Sequence, residues 1–165
     1  MNEAQWHLVL NHLPVTGTLF SLLLLSWALI RRNPELLKTA LVAVLLVGLT
    51  SIPAYLTGEP AEHVIEHLPG VDKAFIEEHE TMGKFALACG VALSVFAAAA
   101  LGVGLRSAKG LWTGALVVWL ANALVFGVMG YTAHLGGMIR HPEIRGSATT
   151  PANAAPNAEH EAEQD

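Results

Sequence analysis

The chain has 165 residues, of which 53% are hydrophobic and only 14% are charged. That balance lies outside the usual composition of soluble globular domains and favours a membrane protein. Nine Lys and Arg residues stand against fourteen Asp and Glu residues, which gives a formal net charge of −5. Because the basic residues form no patch or stripe, no nucleic-acid partner is expected. The only cysteine, Cys89, excludes an internal disulfide and a paired-thiol motif.

Four stretches of at least 18 residues carry no charged side chain: 13–30, 39–56, 85–105 and 111–139. A helix rises about 1.5 Å per residue, so each stretch can cross a hydrocarbon core about 30 Å thick. Buried helices of a soluble bundle would need a polar face, yet 86–104 offers one Ser and one Cys among small apolar residues. The sequence predicts an all-α, four-helix transmembrane domain over 1–145, embedded in the lipid bilayer.

Basic residues are concentrated in two short connections, 31–38 and 106–110, which hold five of the nine Lys and Arg residues. Short basic loops stay cytoplasmic, so both termini are predicted to face the periplasm from a bacterial inner membrane. The remaining four basic residues lie on the opposite side, so the predicted cytoplasmic side has only one basic residue more.

Two segments outside the spans receive their own predictions. The connection 58–84 is expected to be an outer loop holding a short helix over 61–68, with Val64, Ile65 and Leu68 on the side that docks onto the bundle. The segment 146–165 is rich in Ala, Asn, Pro and Glu and is predicted to be a disordered acidic tail. Pro14 predicts either a kink in the first span or the start of the spanning helix.

Small residues recur every four positions in the third span, which lets a neighbouring helix approach closely. This stripe predicts either tight packing inside the bundle or the seam of a homodimer, and it consists of Ala86, Gly90, Ser94, Ala98 and Gly102.

Histidines are the residues with the clearest capacity for chemistry, because seven of the eight fall on the predicted outer side. His12 and His134 lie at similar depth in the first and last spans. A histidine that faces lipid is costly, so both are expected to point into the bundle. Inward histidines on facing helices are where a bundle holds haem or a metal ion. The alternative for each histidine is an interfacial residue that is hydrogen bonded to backbone.

The remaining histidines suggest a metal site near the outer loop. His63 and His67 are four residues apart, close enough to chelate one ion, and the string HVIEH also matches a zinc-peptidase pattern that would need a third ligand and a substrate cleft. The candidate ligands for a Zn, Cu or Fe ion are His63, His67, His7, His141 and Glu80. No Glu is followed by His three residues later, which excludes a di-iron carboxylate bundle.

Three segments, NHLPVTGTLF, TGEPAEHVIEHLPG with IEEHE, and GYTAHLGGMIRHPEI, resemble a bacterial family of small predicted four-helix membrane proteins. The resemblance covers about residues 6–145 and implies a fold but no activity. The matching motif positions are Asn11, His12, Pro14, Gly58, Glu59, His79, Glu80, His134, Gly136, Gly137, Arg140 and His141.

Three functions compete on this sequence. The first is electron transfer by haem b or another redox metal, with His12 and His134 as axial ligands, His79 as a substitute, and a redox or respiratory protein as partner. The second is binding or transport of a divalent metal ion or protons through the outer histidines. The third is a non-catalytic accessory subunit in which the histidines only organise the loop.

Overall fold

Helices account for nearly all of the part of the chain that the computed structural model describes, residues 1–145. The tail predicted for 146–165, with His160, lies outside the described residues. The helices are α1 (Glu3–Arg31), α2 (Pro34–Leu49), α3 (Ser51–Leu56), α4 (Gly58–Ile65), α5 (Lys73–Gly104) and α6 (Ala108–Arg140), followed by a 3-10 turn at Pro142–Ile144. Helices α2, α3 and α4 follow one another with single-residue joints at Thr50 and Thr57 and together form one segment, Pro34–Ile65.

Four of these segments are long and apolar enough to cross a membrane: Glu3–Arg31, Pro34–Ile65, Lys73–Gly104 and Ala108–Arg140. Each covers one of the predicted charge-free stretches to within one residue. Only 28–33% of the most apolar window of each helix is buried inside the protein, which leaves a wide apolar surface for lipid. The predicted all-α, four-helix membrane bundle is confirmed.

The four spans are antiparallel neighbours in a closed ring. Helix α1 packs against α2 and α6, and α5 packs against α2 and α6, so α1 and α5 lie across a diagonal of the bundle. One end of the bundle holds the start of α1, the α4–α5 connection and the end of α6, and we call it the histidine end. The opposite end holds the connections after α1 and α5, and we call it the basic end.

Polar side chains cap the first turn of the long helices. The side chains of Asn2, Asn33, Asp72 and Ser107 each accept a hydrogen bond from a backbone N–H in the first turn of the helix that follows. Pro34 begins α2, where its missing N–H costs nothing. The connections at the basic end are therefore only two or three residues long, which fixes neighbouring spans as antiparallel.

The interior between α1 and α6 is polar near its middle. Asn122 is fully buried and donates to Ser21 Oγ at 3.0 Å and to the Thr18 carbonyl at 3.4 Å. One level closer to the basic end, Trp119 Nε1 donates to Ser26 Oγ at 2.7 Å. Hydrogen bonds of this kind join membrane helices where burial of apolar surface supplies little driving force.

Part of the predicted small-residue stripe is used within the chain, between α2 and α5. A Cβ atom on Gly48 would lie 2.4 Å from the Gly90 carbonyl oxygen, and Ser94 Oγ donates to the Leu45 carbonyl at 2.9 Å. The two helices therefore touch backbone to backbone. Ala98 and Gly102 are more exposed, and a homodimer through them stays a prediction.

Pro14 does not begin a helix, because α1 runs unbroken from Glu3 to Arg31 with Pro14 buried inside it. The expectation that the spanning helix starts there is wrong. Threonine hydroxyls donate to carbonyls on either side of this point, Thr16 to His12 and Thr18 to Pro14. A proline is tolerated inside a membrane helix where local side chains supply hydrogen bonds.

The predicted outer loop 58–84 contains the expected short helix, α4, but most of the rest of it is helical too, so the loop itself is shorter than predicted. Helix α4 continues the second span as far as Ile65, α5 begins at Lys73, and only 66–72 connects them. Of the three residues that were expected to dock, Val64 and Leu68 remain 36% and 42% exposed and only Ile65 is partly buried. Helix α4 instead packs on α1 and buries Ala61.

Candidate functional site

Two histidines meet across the diagonal of the bundle at the histidine end. His7 lies on the second turn of α1 and His79 on the second turn of α5. Their imidazole centroids are 6.3 Å apart, and the ring planes are nearly perpendicular, at 84°. Both side chains are half-buried. They are the only pair of histidine rings in contact among residues 1–145.

The His79 ring is held by α6. Its Nδ1 lies 2.9 Å from the Thr132 carbonyl oxygen, and because a carbonyl can only accept, Nδ1 carries the proton. The ring packs against Gly136, where a Cβ atom would lie 3.0 Å from His79 Cε1. Neutral imidazole carries one ring proton, so the Nε2 atom of His79 has a free lone pair.

The His7 ring is held by the joint between α3 and α4. Its Nδ1 lies 3.1 Å from Thr57 Oγ1. The same hydroxyl lies 3.0 Å from the carbonyl oxygens of Pro53 and Ala54. Gly58, the first residue of α4, faces the ring at a distance that leaves room for it, because a Cβ atom there would be 3.8 Å from His7 Cε1. The hydrogen bond to Thr57 uses Nδ1, so it leaves the Nε2 atom of His7 free of this contact.

His12 and His134 are exposed on the outer surface of α1 and α6. The expectation that both point into the bundle is wrong. His12 Nδ1 bonds to the carbonyl of Leu8 on its own helix, which satisfies one ring nitrogen without any neighbouring helix. His79, the substitute ligand in the sequence prediction, is the residue that faces the interior.

His63 and His67 do not join the pair, because His63 lies in the last turn of α4 and His67 lies in the connection 66–72. His63 Nδ1, His67 Nε2 and Lys73 Nζ each lie 3.6 Å from a carboxylate oxygen of Glu66. Partial desolvation would raise the pKa of Glu66, but the His63 contact and the charges of His67 and Lys73 outweigh it, so the pKa is lowered. Glu66 thus lies between two imidazoles and the Lys73 ammonium.

The other two predicted metal ligands have partners of their own. His141 Nδ1 lies 2.8 Å from Glu143, whose pKa is lowered by a hydrogen bond to its own backbone and by His141. Glu80 pairs with Lys84 at 2.9 Å. Within residues 1–145 no three His, Cys, Asp or Glu side chains gather closely enough to hold a metal ion between them. The described histidines therefore form two pairs, His7 with His79 and His63 with His67, and three exposed single residues, His12, His134 and His141.

A pattern in the sequence marks the pair, and it is the seven-residue repeat of the packed faces. His7 continues the stripe of Pro14, Ser21 and Ala28, all of which are buried in α1. His79 precedes Ala86, Leu93 and Ala100, which are buried in α5. An antiparallel bundle packs on such a repeat, so the stripes point both histidines inward.

Comparisons of the chain with protein-family models, with curated proteins and with solved structures found no match.

Proposed function

We propose that this membrane protein binds a redox metal centre through His7 and His79, with haem b as the first candidate, and that it takes part in electron transfer. The observation that carries the proposal is the pair of imidazoles in edge-on contact, each held at Nδ1 by a hydrogen bond. A ligating histidine typically donates its other ring N–H to a carbonyl or similar acceptor, which fixes the ring and raises its basicity. The Thr132 carbonyl fills that role for His79.

The spacing of the rings suits one metal atom. Two imidazole–metal bonds of about 2 Å each, together with half of each ring, span about 6 Å, and the two centroids are 6.3 Å apart. Haem iron takes two axial protein ligands, whereas a structural zinc site takes four. Because this end of the bundle supplies two imidazoles and no third ligand among the described residues, haem iron fits better than zinc.

A second candidate is a non-catalytic accessory subunit, and a specific observation favours it. His7 joins α1 to Thr57, and His79 joins α5 to α6 through Thr132. Each histidine thus already connects two parts of the bundle without any ligand. In this candidate the pair stabilises the histidine end, and the partner protein carries the chemistry.

The location proposed is a bacterial inner membrane with both termini in the periplasm. The support is the concentration of positive charge at the basic end, where five of nine Lys and Arg residues lie. A reporter fused to the C-terminus tests it. Activity of a periplasmic reporter agrees with the proposal, and activity of a cytoplasmic reporter alone reverses the topology.

The visible spectrum and metal content of protein purified in detergent, after expression with ample haem, distinguish the candidates. A haem band that His7→Ala or His79→Ala removes supports haem binding. A colourless protein with a stoichiometric metal ion, lost in the same variants, points to a bare ion and to the metal-binding alternative. A colourless, metal-free protein leaves the accessory subunit. His12→Ala and His134→Ala are matched controls, because both side chains are exposed.

A further inference from the structure

Thr57 occupies an unusual position, since it is the single residue between α3 and α4 and it also contacts α1. Its hydroxyl oxygen lies within hydrogen-bond distance of three groups: the carbonyls of Pro53 and Ala54 on its own segment, both at 3.0 Å, and His7 Nδ1 at 3.1 Å. A hydroxyl has one proton to donate and two lone pairs to accept with.

The chemistry of these three groups determines which atom donates the proton in each hydrogen bond. The two carbonyls can only accept, and the carbonyls three and four residues earlier are the usual acceptors for a threonine hydroxyl in a helical segment, so they take the hydroxyl proton of Thr57. The oxygen then has only lone pairs left for the ring, and His7 Nδ1 must carry a proton to make a hydrogen bond. In a neutral imidazole this leaves Nε2 without a proton.

We infer that Thr57 is a positioning residue that holds His7 in the Nδ1–H tautomer and so keeps its Nε2 lone pair available to a metal. The inference rests on the proposed function for its purpose, but the tautomer itself needs no bound ligand. Both histidines are then in the Nδ1–H tautomer, but a different kind of acceptor holds each of them there. His79 is set by a backbone carbonyl, which no substitution removes, whereas His7 is set by a side chain.

Because of this difference, a side-chain substitution can change the tautomer of His7 but not that of His79. Thr57→Val keeps the shape of the side chain and removes the hydroxyl, and Thr57→Ser keeps the hydroxyl and removes a methyl group. A competing acceptor for His7 is the Ala54 carbonyl, which also lies near the ring. If that carbonyl alone set the tautomer, Thr57→Val would change nothing.

Nitrogen-15 NMR of histidine-labelled, metal-free full-length protein at neutral to mildly alkaline pH reads the tautomer directly. His7 signals are identified by their loss in His7→Gln, and the His79 signals report whether the bundle stays intact. We expect the Nδ1–H form of His7 in the wild type and in Thr57→Ser, and a shift towards the Nε2–H form in Thr57→Val while the His79 signals stay in place. An unchanged His7 tautomer in Thr57→Val, or an Nε2–H form in the wild type, overturns the inference.

A second readout separates this inference from the proposed function. If the protein binds haem, Thr57→Val should weaken haem affinity by about 10- to 100-fold, as loss of a partner to a metal ligand typically does, and Thr57→Ser should not. A protein that binds no haem and still shows the expected tautomers retains the inference and loses the proposed function. Equal haem affinity in wild type and Thr57→Val, together with an unchanged tautomer, rejects the role of Thr57.

Discussion

Replacing Gly136 by alanine tests the packing of the site from a residue that carries no chemistry of its own. The new Cβ atom would lie 3.0 Å from His79 Cε1, 3.3 Å from Nδ1 and 3.5 Å from Nε2. Ordinary carbon contacts are about 3.5–4.0 Å, so the ring must retreat by about half an ångström or more. That movement lengthens the 2.9 Å bond from Nδ1 to the Thr132 carbonyl.

Gly136→Ala should destabilise the protein through overpacking and a weaker hydrogen bond, and stabilise it through the higher helix propensity of alanine. Overpacking typically costs about 1–3 kcal/mol, and a weakened interhelical hydrogen bond in a membrane protein adds about 0.6 kcal/mol. Alanine in place of glycine inside a helix stabilises the helix by about 0.8–1.0 kcal/mol. Gly136→Ala should therefore lower the free energy of unfolding in detergent by about 0.6–2.8 kcal/mol and disturb the His79 ring signals.

Gly137 supplies a control on the same turn of α6. Its Cβ atom would meet only Ile144 Cδ1 at 3.6 Å, an ordinary contact. Gly137→Ala should be neutral or stabilising by up to about 1 kcal/mol, so the two neighbouring variants differ in sign. Equal stability of Gly136→Ala and Gly137→Ala in the same unfolding assay would refute the packing of His79 against α6.

Three further predictions concern the rest of the bundle. Gly48→Ala, which places a Cβ atom 2.4 Å from a backbone oxygen of α5, should lower the thermal unfolding midpoint far more than Gly102→Ala, where the nearest 4 Å are empty. Arg145 donates to the Gly70 carbonyl and to two carbonyls at the end of α6, so Arg145→Ala should speed proteolysis within 66–72, and an unchanged cleavage rate would reject this tie. Because the pKa of Glu66 is lowered, its stabilising effect is complete above the usual carboxyl pKa and is lost as the pH falls through the lowered value. The stability difference between wild type and Glu66→Gln should thus vanish in acid and be present at pH 7, and a difference that grows in acid would contradict this.

The spans could be predicted because charge is excluded from the hydrocarbon core whatever the packing inside it. The limits of helices beyond the core could not be predicted in the same way. Glu and His residues outside the membrane do not break a helix, so α4 and α5 extend past the charge-free stretches to Ile65 and Lys73. Glycines and prolines at 58–70 suggested a loop, although Pro60 lies in the first turn of α4, where proline is tolerated.

The facing direction of the histidines could not be predicted from their depth alone. Depth grouped His12 with His134, while the rotation of each helix, which depth does not report, turns both outwards. In a membrane the lipid-facing side is apolar and the packed side holds small and polar residues. Thr18 and Asn122 are fully buried, whereas Phe20 is 63% exposed, so hydrophobicity alone does not mark the interior. His7 and His79 share the packed stripes and His12 and His134 do not.

Titration of haem into purified, metal-free protein tests the central claim most directly, because it reports binding at the His7–His79 pair without an assumed partner. The account predicts stoichiometric, saturable binding with the spectrum of a low-spin iron held by two imidazoles. The double variant His7→Ala/His79→Ala should lose this spectrum while it remains folded, and His12→Ala/His134→Ala should keep it. Absence of saturable binding in the wild type, or the same spectrum in the His7→Ala/His79→Ala protein, would contradict the account.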